Sequence, residues 1–403
     1  MGLQQRMSQA RAVLGILHGS RALGGPVQAF VDVTGRCNIR CVHCYYYSPH
    51  TTVPNLPEVR LARLQHAELP DAQAMKARLH QDADGDRMRG VLDTLLDMGT
   101  RRFQFSGNGE AFLHPELMEF IARVKSRNSY CVSNTNGTLL DRATMDRLIE
   151  LGFDELRVSI LSGTRDSYAR THPGIQADTF DRMCENFRYM AERKRAAGAA
   201  KPALSLVTVI MSHTADDLMN LAHLADDLDA QYVNYRIIDD VNDPNLRQLA
   251  LNDSQQKEAY RQLGEAACFL SERGIGNNAL DAQPVLNRQL DTTEFYRIVP
   301  CYYGWLMSRI NVDGDVRPCC RCYHSMGNAF EVGFRAVWHG EAYRRFRREA
   351  LRLPRRDRPP PGCDCTSCVH HHANLRVFKA LHPLKWRRVR SRISPLLPGG
   401  DDE

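Results

Sequence analysis

Three thiols, Cys37, Cys41 and Cys44, stand four and three residues apart, directly after the strand-like run Ala29-Phe30-Val31-Asp32-Val33. No other stretch constrains the chain as strongly. Four-iron clusters ordinarily take four thiolates. A loop that offers three leaves one iron with an open coordination site, where a small molecule can bind. The alternative is a three-cysteine piece of a zinc site.

The rest of the composition narrows the setting. At 403 residues the chain is long enough for two or three domains, and 43% hydrophobic with 25% charged residues is ordinary for a globular protein. No apolar run reaches the length of a membrane span. Ala12-Val13-Leu14-Gly15-Ile16-Leu17 is too short for a secretory segment and lacks a cleavage site, so a cytoplasmic location is expected. In a reducing compartment clustered cysteines bind metal or do chemistry more often than they form disulfides. Ten of the 13 cysteines fall within 37–44, 301–322 and 363–368, and Cys131, Cys184 and Cys268 stand alone. Between Arg344 and Arg392 there are 15 Lys or Arg against three acids. Such a stretch reads as a solvated basic helix in preference to a surface for nucleic acid or an anionic partner.

Strand and helix signals alternate along the first 240 residues. Residues 1–22 read as an amphipathic helix, and residues 46–70, with four prolines, as an irregular insertion that helps to cover the site. Asp82-Ala83-Asp84-Gly85-Asp86 reads as a turn and not a calcium loop. Strands are expected at 29–33, 102–105, 130–133, 155–160, 204–211 and 232–238, with helices over 88–98, 114–124, from about 141, 180–194 and 215–229. Repeated β-then-α units imply a parallel sheet wrapped by helices, and six of them make a partial (β/α)6 TIM-like barrel. The chemistry then belongs on loops after the strand C-termini, where each motif falls.

Ser106-Gly107-Asn108-Gly109-Glu110 follows the second expected strand. Its glycines permit close backbone approach to a ligand, and its carboxylate can accept from a cationic amine. Together with C-x3-C-x2-C, in which His43 precedes the last cysteine, this resembles the radical S-adenosylmethionine (SAM) enzyme superfamily. Asn134-Thr135-Asn136-Gly137 and Val158-Ser159-Ile160 resemble later turns and strands of that family. The resemblance implies that Cys37, Cys41 and Cys44 hold a [4Fe-4S] cluster, and that Gly107, Gly109 and Glu110 hold the methionyl amine of SAM. Tyr45, Asn134 and Ser159 would be lesser nucleotide contacts. It further implies reductive cleavage of SAM to a 5′-deoxyadenosyl radical that abstracts hydrogen from substrate, with a flavodoxin or ferredoxin as electron donor.

Farther on, Cys301, the hairpin signal Asp313-Gly314, Cys319 and Cys365-Thr366-Ser367-Cys368 resemble the SPASM/twitch auxiliary-cluster domains. No cysteine follows Val369, which fits the shorter twitch form with one auxiliary [4Fe-4S] cluster on Cys301, Cys319, Cys365 and Cys368. Zinc on the same thiols is the competing reading, and Cys320, Cys322 and Cys363 are spare ligands. The expected organisation is an N-terminal extension (1–27), a radical SAM core (28–245), a linking helical region (246–299), a small cysteine-rich hairpin/helix domain (300–374) and a basic tail (375–403). The favoured substrate is a small metabolite, a sugar or aminocyclitol, that is oxidised or epimerised. Tyr168-Ala169-Arg170-Thr171-His172-Pro173-Gly174 contributes to that choice. A ribosomally made peptide is the alternative, and the short stretch before the first strand speaks against a built-in peptide-recognition domain. A non-catalytic metal protein docking through its basic tail is the third reading. For epimerisation, Cys131 is the candidate hydrogen donor.

Overall fold

The computed structural model describes residues 3–54, 56–238, 246–283, 286, 292–356, 358–366 and 368–393. Its core is one sheet built from β1 (Gln28–Asp32), β2 (Arg102–Ser106), β3 (Tyr130–Thr135), β4 (Glu155–Val158), β5 (Ala203–Ile210), β6 (Tyr232–Ile237), β7 (Gly276–Asn277), β8 (Met307–Ile310) and β9 (Val316–Arg317). The spatial order is β7-β6-β5-β4-β3-β2-β1-β8-β9. Strands β1 to β7 pair parallel in sequence order, as right-handed β/α crossovers require.

The pleat divides the sheet into two chemically distinct faces. Ala29, Val31, Phe103, Phe105, Leu156, Val158, Leu204 and Leu206 are buried in one cluster with helix residues such as Leu92, Phe120, Leu148 and Phe187. The other face is polar. Gln28, Phe30 and Asp32 are in register with Arg102, Gln104 and Ser106, and this row continues through Tyr130, Glu155, Arg157 and Ser205. It reaches exposed Tyr232, Asn134 and Arg236 at the open side. This is the lumen of the partial barrel.

The expected helices are present, and capping side chains set the starts of two of them. Asp84 caps Gly85–Asp97 and Asp141 caps Arg142–Glu150, each accepting from the backbone N–H three residues on. The acidic run at 82–86 is therefore a helix start. The expected 114–124 helix is split into a 3-10 turn at Ala111–Leu113 and a helix at Leu117–Lys125. The first helix ends at His18, not 22.

Two expectations need larger correction. The 46–70 insertion is not irregular throughout, because Pro57–Leu64 is a helix with proline in its first turn. The cysteine-rich region is not merely appended to the barrel. Its hairpin strand β8 pairs parallel with β1, and β9 pairs antiparallel with β8, so the sheet runs on from barrel to hairpin. Gly314 turns the hairpin at φ +83°. Residues 284–285, 287–291 and 394–403, and Ser367 of the last cysteine pair, lie outside the described residues. Among the described residues no helix is long and apolar enough to cross a membrane.

Candidate active site

The first three cysteines leave β1 and turn back over the barrel mouth. Val42 N–H donates to Thr171 O at 3.0 Å and Ser48 Oγ donates to Val42 O at 2.6 Å, which pins the loop at its middle. The N–H groups of Tyr46 and Tyr47 point at Cys44 Sγ, at 3.4 and 3.3 Å. Burial pushes Cys37 up to about 11 and also raises Cys41 and Cys44, and neighbouring sulfurs add to the shift of Cys37 and Cys41. Desolvated thiols that repel one another are poor free thiolates. They are a fitting donor set for a metal centre that displaces their protons. His43, desolvated beside them, is lowered to about 4 and stays neutral at physiological pH.

The glycine–glutamate turn after β2 packs closely on the chain that leads into the cysteine loop. A β-carbon on Gly109 would lie 2.6 Å from the carbonyl carbon of Gly35 and closer still to the Arg36 carbonyl oxygen. One on Gly107 would meet Thr34 O at 3.2 Å. Both glycines let the turn pack onto the chain that leads into Cys37. Glu110 is 3% exposed. It accepts from Thr135 Oγ1 (2.7 Å), Asn136 N (2.6 Å) and Phe112 N (3.2 Å). Its carboxylate locks the β2 turn to the β3 turn.

Asn136, which the sequence reading passed over, connects both parts. Its amide nitrogen lies 3.9 Å from Cys37 Sγ and donates to Asn38 Oδ1 at 2.9 Å. The Asn136-Gly137 pair directly after a strand was its only local signal. Asn134 is exposed at the lumen rim, and Ser159 is half-buried just beyond β4. The Arg60 guanidinium lies 4.5 Å from the Tyr45 ring centroid. Arg60 also donates to Tyr323 Oη at 2.9 Å, so the insertion helix joins the first cysteine loop to the second cysteine region.

Cys131 does not face the lumen. It is fully buried on the helix-packed side of β3, and burial raises its thiol far above the usual range. It cannot return hydrogen to a substrate held in the barrel.

The second thiol group closes around one cavity. Cys301, Cys319, Cys365 and Cys368 line it together with Tyr296, Phe346, His370 and Asn374. Burial pushes Cys301 up to about 12, and it raises Cys319 and Cys365 with help from the other cavity thiols. This mutual repulsion is what four converging ligands experience without their cation. The spare cysteines are accounted for separately. Cys322 and Cys363 face each other across an antiparallel bridge with Cα atoms 3.9 Å apart, joined as a disulfide, contrary to the expectation for a reducing compartment. Cys320 Sγ lies 3.1 Å from His370 Nε2. Its burial is outweighed by His370, Arg309 and Arg321, leaving the thiol lowered to about 7.

Between the two thiol groups, Arg309 of β8 donates to Asp32 Oδ2 at 2.8 Å and to Asn108 Oδ1 at 3.2 Å. Asn108 is the residue inserted between the two glycines.

Residues 31–225 match the radical SAM superfamily, and residues 301–369 match the SPASM iron–sulfur cluster-binding domain. The chain belongs to the radical SAM superfamily. A member with a SPASM domain carries a [4Fe-4S] cluster, SAM and auxiliary iron–sulfur centres, and the two thiol sets fit that requirement. The chain is 20% identical over 92% of its length, and 73% of the relative's, to the antilisterial bacteriocin subtilosin biosynthesis protein AlbA of Bacillus subtilis. It is 22% identical over 80% of its length, and 76% of the relative's, to the PqqA peptide cyclase of Granulibacter bethesdensis. The fold is similar to that of Streptococcus suis SuiB bound to precursor peptide SuiA, with TM-score 0.57 and 13% identity over 86% of this chain and 74% of that one.

Proposed function

We propose that this radical SAM enzyme modifies a ribosomally synthesised peptide, with Cys37, Cys41 and Cys44 holding the SAM cluster and Cys301, Cys319, Cys365 and Cys368 an auxiliary cluster. The observation that carries the reading is the extent of its likeness to AlbA. The alignment covers 92% of the chain and so includes both the barrel and the auxiliary region. The sugar reading loses its local cue. Tyr168 and His172 are each 1% exposed and stack at 4.1 Å. Their packing props the cysteine loop through Thr171 O, which accounts for the buried part of the segment.

The cluster and SAM, when bound, supply a hydrogen-abstracting radical. The chain's own residues do the rest. The Asp32–Arg309–Asn108 link holds the hairpin against the glycine turn, which fixes the two thiol groups on either side of the lumen mouth. The polar lumen row offers donors and acceptors that suit the amides of an extended peptide. An electron carrier of the flavodoxin or ferredoxin type is the proposed reductant.

The test is peptide-dependent SAM cleavage. Anaerobically reconstituted enzyme is given SAM, reductant and candidate precursor peptides, and 5′-deoxyadenosine and peptide mass are measured. Cleavage that rises with one peptide, together with loss of hydrogen mass from it, is the expected result. Cleavage stimulated by a peptide-free metabolite fraction and by no peptide would overturn the reading.

A further inference from the structure

A short hydrogen-bond relay ends on one of the auxiliary thiols. Tyr296 is 4% exposed, and its hydroxyl lies 2.9 Å from Cys368 Sγ. Asn374 is fully buried, and its Nδ2 donates to the same hydroxyl oxygen at 2.9 Å. Its Oδ1 accepts from Tyr302 N–H at 2.8 Å. The far end fixes the direction of the relay. A backbone N–H only donates, so the amide oxygen must face Tyr302 and the amide nitrogen must face Tyr296. The phenol oxygen thus accepts a hydrogen bond from Asn374 and directs its own hydrogen at the sulfur.

We propose that Tyr296 donates a hydrogen bond to the Cys368 thiolate and thereby raises the reduction potential of the auxiliary cluster, with Asn374 orienting the phenol. The inference rests on the four-thiol reading above. Hydrogen bonds to cluster sulfurs are one of the protein's means of setting potential. A donor draws negative charge off the thiolate. Reduction adds one electron to the cluster, so the donor stabilises the reduced form more than the oxidised form. The buried surroundings strengthen the effect.

The tyrosine is not required to hold the cysteine in place. Cys368 N–H donates to Thr292 Oγ1 at 3.1 Å, and Thr292 N–H donates to Thr366 O at 2.7 Å. These bonds fix the loop by themselves. His370 N–H approaches Cys368 Sγ at 3.4 Å and remains when the phenol is removed.

The experiment uses the full chain carrying Cys37→Ala, Cys41→Ala and Cys44→Ala, so that only the auxiliary centre gives an electron paramagnetic resonance signal. Iron and sulfide are counted first, and the signal is then titrated against potential. Tyr296→Phe is expected to keep its iron and shift the midpoint negative. Asn374→Ala is expected to shift it the same way by less, since the phenol can still donate. An unchanged or positive midpoint in Tyr296→Phe overturns the inference. So does loss of iron from that variant, which would assign the phenol to holding the cage. Absence of iron from the parent protein would overturn the four-thiol reading itself, and the inference with it.

Discussion

Gly109 is where a single atom decides whether the site can form. Any β-carbon there runs into the backbone of Gly35 and Arg36, which cannot rotate away as a flexible side chain would. Gly109→Ala is therefore expected to cost about 3 kcal/mol, the upper range for overpacking, and to lower the iron bound by the first cysteine loop. Urea midpoints and iron analysis check this. Gly90→Ala is the control: nothing lies within 4 Å of its added carbon, so it should stabilise its helix by about 0.5–1 kcal/mol. The residues of the site were legible in the sequence, but their uses were only partly so. Gly107, Gly109 and Glu110 stand out by type, but not the packing of one turn on another that they provide. Nothing in the order of residues says whether a glycine approaches a ligand or a neighbouring carbonyl. Cys131 was misplaced for a related reason, since position on a strand does not tell which face of the pleat looks into the barrel.

Among the elements, the strands β2 to β5 are held on their lumen side by Glu155. It accepts from Arg157 Nε (2.7 Å), Tyr130 Oη (2.9 Å) and Ser205 Oγ (3.2 Å), with Arg102 Nη2 at 3.7 Å. Burial alone would raise its carboxyl, but Arg157, Tyr130 and Arg102 outweigh it and hold the group below its ordinary 4.5. A depressed acid stabilises the fold above its unfolded pKa and loses that contribution as pH falls through the folded one. Glu155→Gln is expected to lower stability by about 2 kcal/mol at neutral pH, as for hydrogen bonds to a charged group. The gap to wild type should close as pH falls from 4.5 downward, which denaturation midpoints across that range measure. Six β/α units were readable because each strand and each helix carries its own local pattern. The pairing of β8 with β1 was not, because its partners lie hundreds of residues apart and leave no local pattern. The Pro57–Leu64 helix was hidden by prolines, although proline in a first helical turn is well tolerated.

Across the whole molecule, charge is segregated onto the helices that enclose the auxiliary thiols. Phe346 and Leu353 line the cavity from the helix Glu341–Leu351 and the turn that follows it, and Asn374 lines it from the helix His371–Leu381. The outward sides of these elements carry exposed Arg352 and Arg376, and the helix Pro383–Ile393 packed beyond adds exposed Lys385, Arg387 and Arg388. A helix is about 10–12 Å across, so a basic surface stands one helix away from the cavity. The sequence showed this charge but not its location, which is why a plain solvated helix was the favoured reading. A cationic face above a redox centre suits an acidic electron-carrier protein, whose encounter it would steer. Replacing Arg352, Arg376 and Arg387 together by Glu is expected to slow SAM cleavage driven by reduced flavodoxin about 10-fold at low ionic strength. The difference from wild type should shrink as salt screens the surface. Dithionite, a small reductant that needs no docking, should drive both proteins equally. Equal rates with flavodoxin would show that the donor docks elsewhere, and a matching loss with dithionite would show that the substitutions damage the auxiliary region itself.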